Sequence, residues 1–108
     1  DLTHPFMYGY TSNKVAMFKA NNLFIQKANG AYSNPLVYGN NPLLSGYITK
    51  PNYEKLKNSS VMGISAMGRG RVVGFTENMA FRAFWFGTNK MLMNAIFYAP
   101  MINADAGR

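Results

Sequence analysis

Core-forming residues recur near the carboxyl end at Phe81, Phe84, Trp85, Thr88, Met91, Leu92, Ala95 and Ile96. That is the i, i+3, i+4, i+7 spacing of a helix with one face in a core. Arg82, Asn89 and Lys90 fall on the other side. Gly87 interrupts the stripe at a cost of about 1 kcal/mol relative to alanine. It marks either a close approach of the backbone to a sheet or a break between FRAFWF and TNKMLMNAIFY, with Thr88 then the N-cap of the second piece. Ahead of the helix lies a hairpin. Ser60 to Ala66 alternates in part, the MGRGR turn reverses the chain, and Arg71 to Phe75 returns. Gly68 and Gly70 are expected to supply the positive φ of the tight turn.

Upstream the pattern is weaker. KVAMF, 14–18, alternates as a strand with Val15 and Met17 on one side and Ala16 and Phe18 on the other. LFIQKANG ends in the turn signal Asn29-Gly30, Pro35 within 31–38 suggests either an edge strand or a strand start, and LLSGYI, 43–48, is another short apolar piece. PNYEKLK, 51–57, predicts a short helix with proline in its first turn and Thr49 as cap. Together these predict an α+β segment: a small β-sheet with hairpins, covered by one long C-terminal amphipathic helix. Residues 1–100 form the domain or domain fragment, and 101–108 are expected to fray.

Composition narrows the function classes. At 108 residues and 48% hydrophobic, the chain sustains one core. No apolar run is long enough to span a membrane. The opening DLTHPFMYGY lacks the basic n-region and apolar core of a signal peptide, and a start at Asp1 reads as an excised segment. Without cysteine there is no disulfide, thiolate metal site or cysteine nucleophile within these residues. The net charge of +7 raises a nucleic-acid or anionic-polymer reading, but the cations are scattered, as on a solvated surface.

Candidate chemistry is thin. One histidine, His4, and four separated carboxylates make a poor metal set, and His4 reads as a turn residue. Glu54 sits among lysines, and Glu77 precedes the long helix, where its charge favours the helix dipole. Ser45 and Ser65 lack an evident base, and GISAMG only superficially resembles a nucleophile elbow. GRGR leads into a strand rather than a helix, so a hairpin turn fits it better than a phosphate loop. The remaining contact candidates are Tyr8, Tyr10, Tyr47, Tyr53, Arg69 and Arg82. Arg82, flanked by aromatics, is expected to pair with Glu77 or to satisfy loop carbonyls.

The run GRGRVVGFTENMAFRAFWFGTNKMLMNAIFY resembles the C-terminal end of large secreted zinc carboxypeptidase-like proteins of the carboxypeptidase A type from Bacteroidetes-type bacteria. THPFMYGY, 3–10, and PLLSGYI, 42–48, fit the same pattern, and 14–38 is the least distinctive part. A similar ending occurs in class I glutamine amidotransferase-like domains appended to hydrolases. The resemblance implies the C-terminal half of a flavodoxin-like α/β accessory domain, with secretion or an extracytoplasmic location. It places zinc and the catalytic residues in a parent domain, so no residue here inherits a catalytic or metal role. An amidotransferase would need a cysteine nucleophile and a His-x-Glu pair, and His4-Pro5-Phe6 lacks the glutamate.

Three functions of different class follow as expectations. The first is a non-catalytic accessory domain that stabilises the parent hydrolase, docks on its catalytic domain or recruits substrate, with no cofactor of its own. An unpaired sheet edge would also favour a homodimer. The second is a stand-alone basic module for nucleic acid or another anionic polymer. The third, a hydrolase using Ser65 or Glu54 with Glu77, has the least support in the residues.

Overall fold

The computed structural model describes residues 1–83 and 85–103. Two helices and one hairpin form its regular structure: α1 (Lys50–Leu56), β1 (Met62–Met67), β2 (Gly70–Phe75) and α2 (Phe86–Tyr98). Single 3₁₀ turns lie at Pro5–Met7, Phe81–Ala83 and Ala99–Met101. The α+β class expected from the sequence is therefore observed, with a sheet of two antiparallel strands.

The hairpin forms where the pattern put it. Met67 pairs with Gly70 across the two-residue loop Gly68-Arg69, and the register runs to Met62 opposite Phe75. Only Gly68 takes a positive φ, +57°, which corrects the expectation for Gly70. A glycine at the first loop position suits the right-handed twist of the strands. Residues beside a two-residue loop exchange hydrogen bonds, and bonded pairs then alternate. Thr76 N–H donating to Val61 C=O (2.9 Å) keeps the same phase. The pairs Ala66/Arg71, Ile64/Val73 and Met62/Phe75 thus turn their backbone groups away from each other. On the β1 side, Ile64 N–H reaches Ser33 C=O at 3.3 Å.

The other expected strands do not form. Segment 33–38 runs beside the start of the hairpin through Val61 N–H to Leu36 C=O (3.0 Å) and Tyr38 N–H to Ser59 C=O (2.9 Å). The sheet character of these upstream pieces is limited to isolated bridges of Ser60 with Ile25 and with Val37. KVAMF has no ladder, yet its alternation holds: Val15 and Met17 pack on the core, while Ala16 and Phe18 are exposed. LLSGYI is an exposed loop, with Leu44 at 80% and Tyr47 at 89% exposure.

The core gathers Phe6, Met62, Ile64, Met79, Met91 and Ile102 with their neighbours. Helix α2 contributes Thr88, Met91, Asn94 and Ala95, so three positions of the predicted stripe are buried. Ile96 is exposed and Leu92 partly buried. The helix is rotated about its axis because the Asn94 amide donates to Phe6 C=O and Tyr8 C=O, both at 2.9 Å. It also starts later than the stripe suggested. Arg82 and Ala83 adopt left-handed φ of 47° and 55°, which no helix continues through. Trp85 is the N-cap and only partly buried, so it is not the buried anchor its size suggested. Phe84 lies outside the described residues. Thr88 is not the cap, although its hydroxyl donates to Trp85 C=O at 3.0 Å. A Cβ on Gly87 would lie 3.3 Å from Val15 Cγ2, so the close approach is to segment 10–15 and not to the sheet. Ile102 is 3% exposed, and the packed chain therefore continues past residue 100.

Candidate functional site

Two places collect polar or accessible chemistry. The first is a buried polar cluster around Glu77. Lys19 follows the KVAMF segment, Glu77 follows β2, and Tyr38 comes from the segment beside the hairpin. Lys19 Nζ forms an ion pair with Glu77 Oε1 and also donates to Leu23 C=O at 2.8 Å. The Tyr38 hydroxyl donates to the same carboxylate oxygen at 3.2 Å. Asn21 Nδ2 donates to Thr76 C=O at 2.7 Å and to Glu77 Oε2 at 3.4 Å. The Glu77 side chain is 2% exposed and that of Lys19 is 16% exposed. Burial, then the adjacent Glu77 charge, pushes the Tyr38 hydroxyl well above its ordinary range. Lys19 also lies over the Phe24 ring at 5.1 Å. Every donor and acceptor here has a partner, which makes the cluster a structural lock between three distant segments.

The second is an open groove of about 390 Å³ between β2 and the C-terminal helix. Val73 and Phe75 line one wall, and Leu92, Ala95, Ile96 and Ala99 the other. Arg69 and Arg71 close one end. Arg71 is partly anchored, donating from Nη1 to Gly70 C=O at 2.8 Å and from Nε to Ile102 C=O. The lining includes no residue of β1, so the groove lies on the β2 side of the hairpin.

The six contact candidates do not converge. Tyr8 is 67% exposed and sets its ring edgewise against Tyr98 at 5.9 Å. Tyr10 is half-buried, donates its hydroxyl to Gly87 C=O and lies 5.6 Å from Lys90 Nζ. Burial raises its pKa. Its role is to hold α2. Tyr53 donates to Asn41 Oδ1 at 2.8 Å under Lys57, and Tyr47 sits in the exposed 43–48 loop. Arg69 alone belongs to the groove. Arg82 lies over the Phe81 ring at 5.4 Å and does not pair with Glu77, because Lys19 occupies that carboxylate. That also corrects the dipole reading of Glu77, whose charge is buried nine residues before α2 begins.

The catalytic candidates are likewise dispersed. Glu54 pairs with Lys57 at 3.0 Å on the exposed face of α1. Ser65 lies within β1 and Ser45 in the exposed loop. His4 caps the first 3₁₀ turn, 1% exposed, with both ring nitrogens engaged. Phe6 N–H donates to Nδ1 at 3.1 Å, so Nε2 carries the proton and donates to Tyr32 C=O at 3.1 Å. Burial lowers its pKa below the usual 6.5. Among the described residues no group of three or more histidine, cysteine or carboxylate side chains is placed to hold a metal. No described helix is long and apolar enough to cross a membrane.

Sequence reasoning missed the Lys19–Glu77–Tyr38 cluster and the groove. Lys19 and Glu77 are 58 residues apart, and no local pattern links them. The groove had a signal: Val73 and Phe75 alternate on β2 while Arg69 and Arg71 flank them. Compared with protein-family models, curated proteins and solved structures, the chain gives no match.

Proposed function

We propose that the chain is a non-catalytic accessory module that docks on a larger protein through α2. The carrying observation is a second apolar stripe on that helix. Phe86, Met93 and Phe97, at i, i+7 and i+11, are 82%, 50% and 71% exposed on the side opposite the core. A helix apolar on two faces suits burial on both. The resemblance of the GRGRVVGF and FRAFWFGTNK runs favours a secreted zinc carboxypeptidase-like hydrolase as the larger protein, with zinc and the catalytic groups in its own domain. The flavodoxin-like half-domain belongs to this same proposal.

The natural coding sequence supplies the first test. It should continue through a His-x-x-Glu zinc motif, and a frame without one overturns the hydrolase assignment. The expressed catalytic portion should then bind this chain, and Phe97→Ser should weaken that binding while leaving the melting temperature of the chain unchanged. One observation favours a second reading. The only ion pairs among the described residues are Lys19–Glu77 and Lys57–Glu54, which leaves most of the cations without a carboxylate partner. An anionic-polymer module would bind a mixed single-stranded oligonucleotide with a steep salt dependence, and the docking module would not.

A further inference from the structure

The outer edge of β2 and the groove beside it share one geometry. The register turns the N–H and C=O groups of Arg71, Val73 and Phe75 away from β1, and nothing among the described residues bonds to them. The side chains of the same three residues line the groove. A strand added to an edge places its opposing side chains on the same face as the residues it pairs with. Its residues opposite Val73 and Phe75 would therefore enter the apolar part of the groove. The residue opposite Arg71 would meet the two arginines.

We propose that this edge takes up an extended segment of another polypeptide whose groove-facing side chains read apolar, apolar, acidic. In the antiparallel sense, the more stable pairing, the acidic residue lies at the carboxyl end of that pattern. Charge decides the occupant. Arg69 and Arg71 have no carboxylate partner among the described residues, and the chain carries a net charge of +7. A second copy would present to this edge only the same arginines and apolar side chains, with no carboxylate, whereas a carboxylate on the incoming strand gains charge-assisted hydrogen bonds. The backbone supplies affinity, the groove supplies spacing, and the arginines set direction. This inference does not depend on which larger protein carries the chain.

The test uses the full chain and a labelled synthetic peptide of alternating threonine and valine ending in glutamate, followed by fluorescence anisotropy. Wild type should bind this peptide in preference to one of the same composition in scrambled order, and salt should weaken the binding. Arg69→Glu, in the exposed turn, should weaken it about tenfold or more, since charged hydrogen bonds are of that strength. Val73→Pro removes an outward donor that bonds nothing inside and should abolish binding, as edge prolines do. Arg69→Glu holds the test should Val73→Pro unfold the hairpin. Equal binding of the scrambled peptide, or no effect of Arg69→Glu, overturns the proposal. So does a dimer in sedimentation that Val73→Pro dissolves, because the edge would then be occupied by a second copy.

Discussion

Replacing Lys19 by methionine tests the lock around Glu77 most directly. The substitution keeps an unbranched stem of similar volume against the Phe24 and Tyr38 rings and removes the charge. Glu77, with its side chain 2% exposed, would keep only the Tyr38 hydroxyl at 3.2 Å and the Asn21 amide at 3.4 Å. Breaking a buried pair from one side costs about 3–5 kcal/mol, because the remaining charge is desolvated without compensation. Folding stability of a small domain is about 5–15 kcal/mol, so the variant should lose a large share of it. Glu77→Gln should cost less. Its amide oxygen still accepts from Lys19, and that ammonium keeps Leu23 C=O and some solvent. In urea titrations, with a slope of about 1–3 kcal/mol per molar, Lys19→Met should lower the midpoint by on the order of 1–5 M. The double variant should be more stable than the summed single losses predict, with a coupling of at least about 1 kcal/mol. Single losses within about 0.5 kcal/mol of wild type, or strict additivity, would refute the lock.

Further expectations follow from other parts of the fold. Met91→Ala, at a fully buried position on α2, should cost about 2–5 kcal/mol in thermal or chemical denaturation. Because the folded His4 pKa lies below 6.5, the unfolded chain binds a proton that the folded chain refuses as pH falls through that value. Stability should therefore be full above about pH 7 and decline as pH falls below 6.5, with a slope no steeper than about 1.4 kcal/mol per pH unit. Comparing denaturation midpoints of wild type and His4→Gln at about pH 7.5 and about pH 5.5 measures that slope. Arg82→Gly relieves a left-handed residue with φ of 47° and should raise stability by about 1 kcal/mol, read as a higher melting temperature.

The parts of the fold legible in the sequence are those fixed by neighbours. The hairpin follows from a glycine at the first loop position between two β-prone runs, and α1 from Pro51 near its first turn. Segment 14–18 shows the limit. Its alternation sorts Val15 and Met17 inward correctly, but a strand needs a partner edge, and the sequence does not say that none is offered. The rotation of α2 was hidden for a similar reason. Asn94 looks like a surface residue until two carbonyls from the first ten residues capture its amide. Of the candidate site, Arg69 beside alternating Val73 and Phe75 was visible, whereas the pairing of Lys19 with Glu77 depends on closure of a long loop.

The contacts that tie Tyr8, Gly9 and Tyr10 to the last helix also govern when the molecule matures. Tyr10 and Gly87 are 77 residues apart in sequence, and Asn94 and Phe6 are 88 apart. Closing a flexible loop of that size costs about 4 kcal/mol before any contact repays it. During synthesis residues 6–10 must wait, unsatisfied, until α2 has emerged. Folding of this unit should consequently be slow, with the local hairpin formed early and the contacts of residues 6–10 with α2 made last.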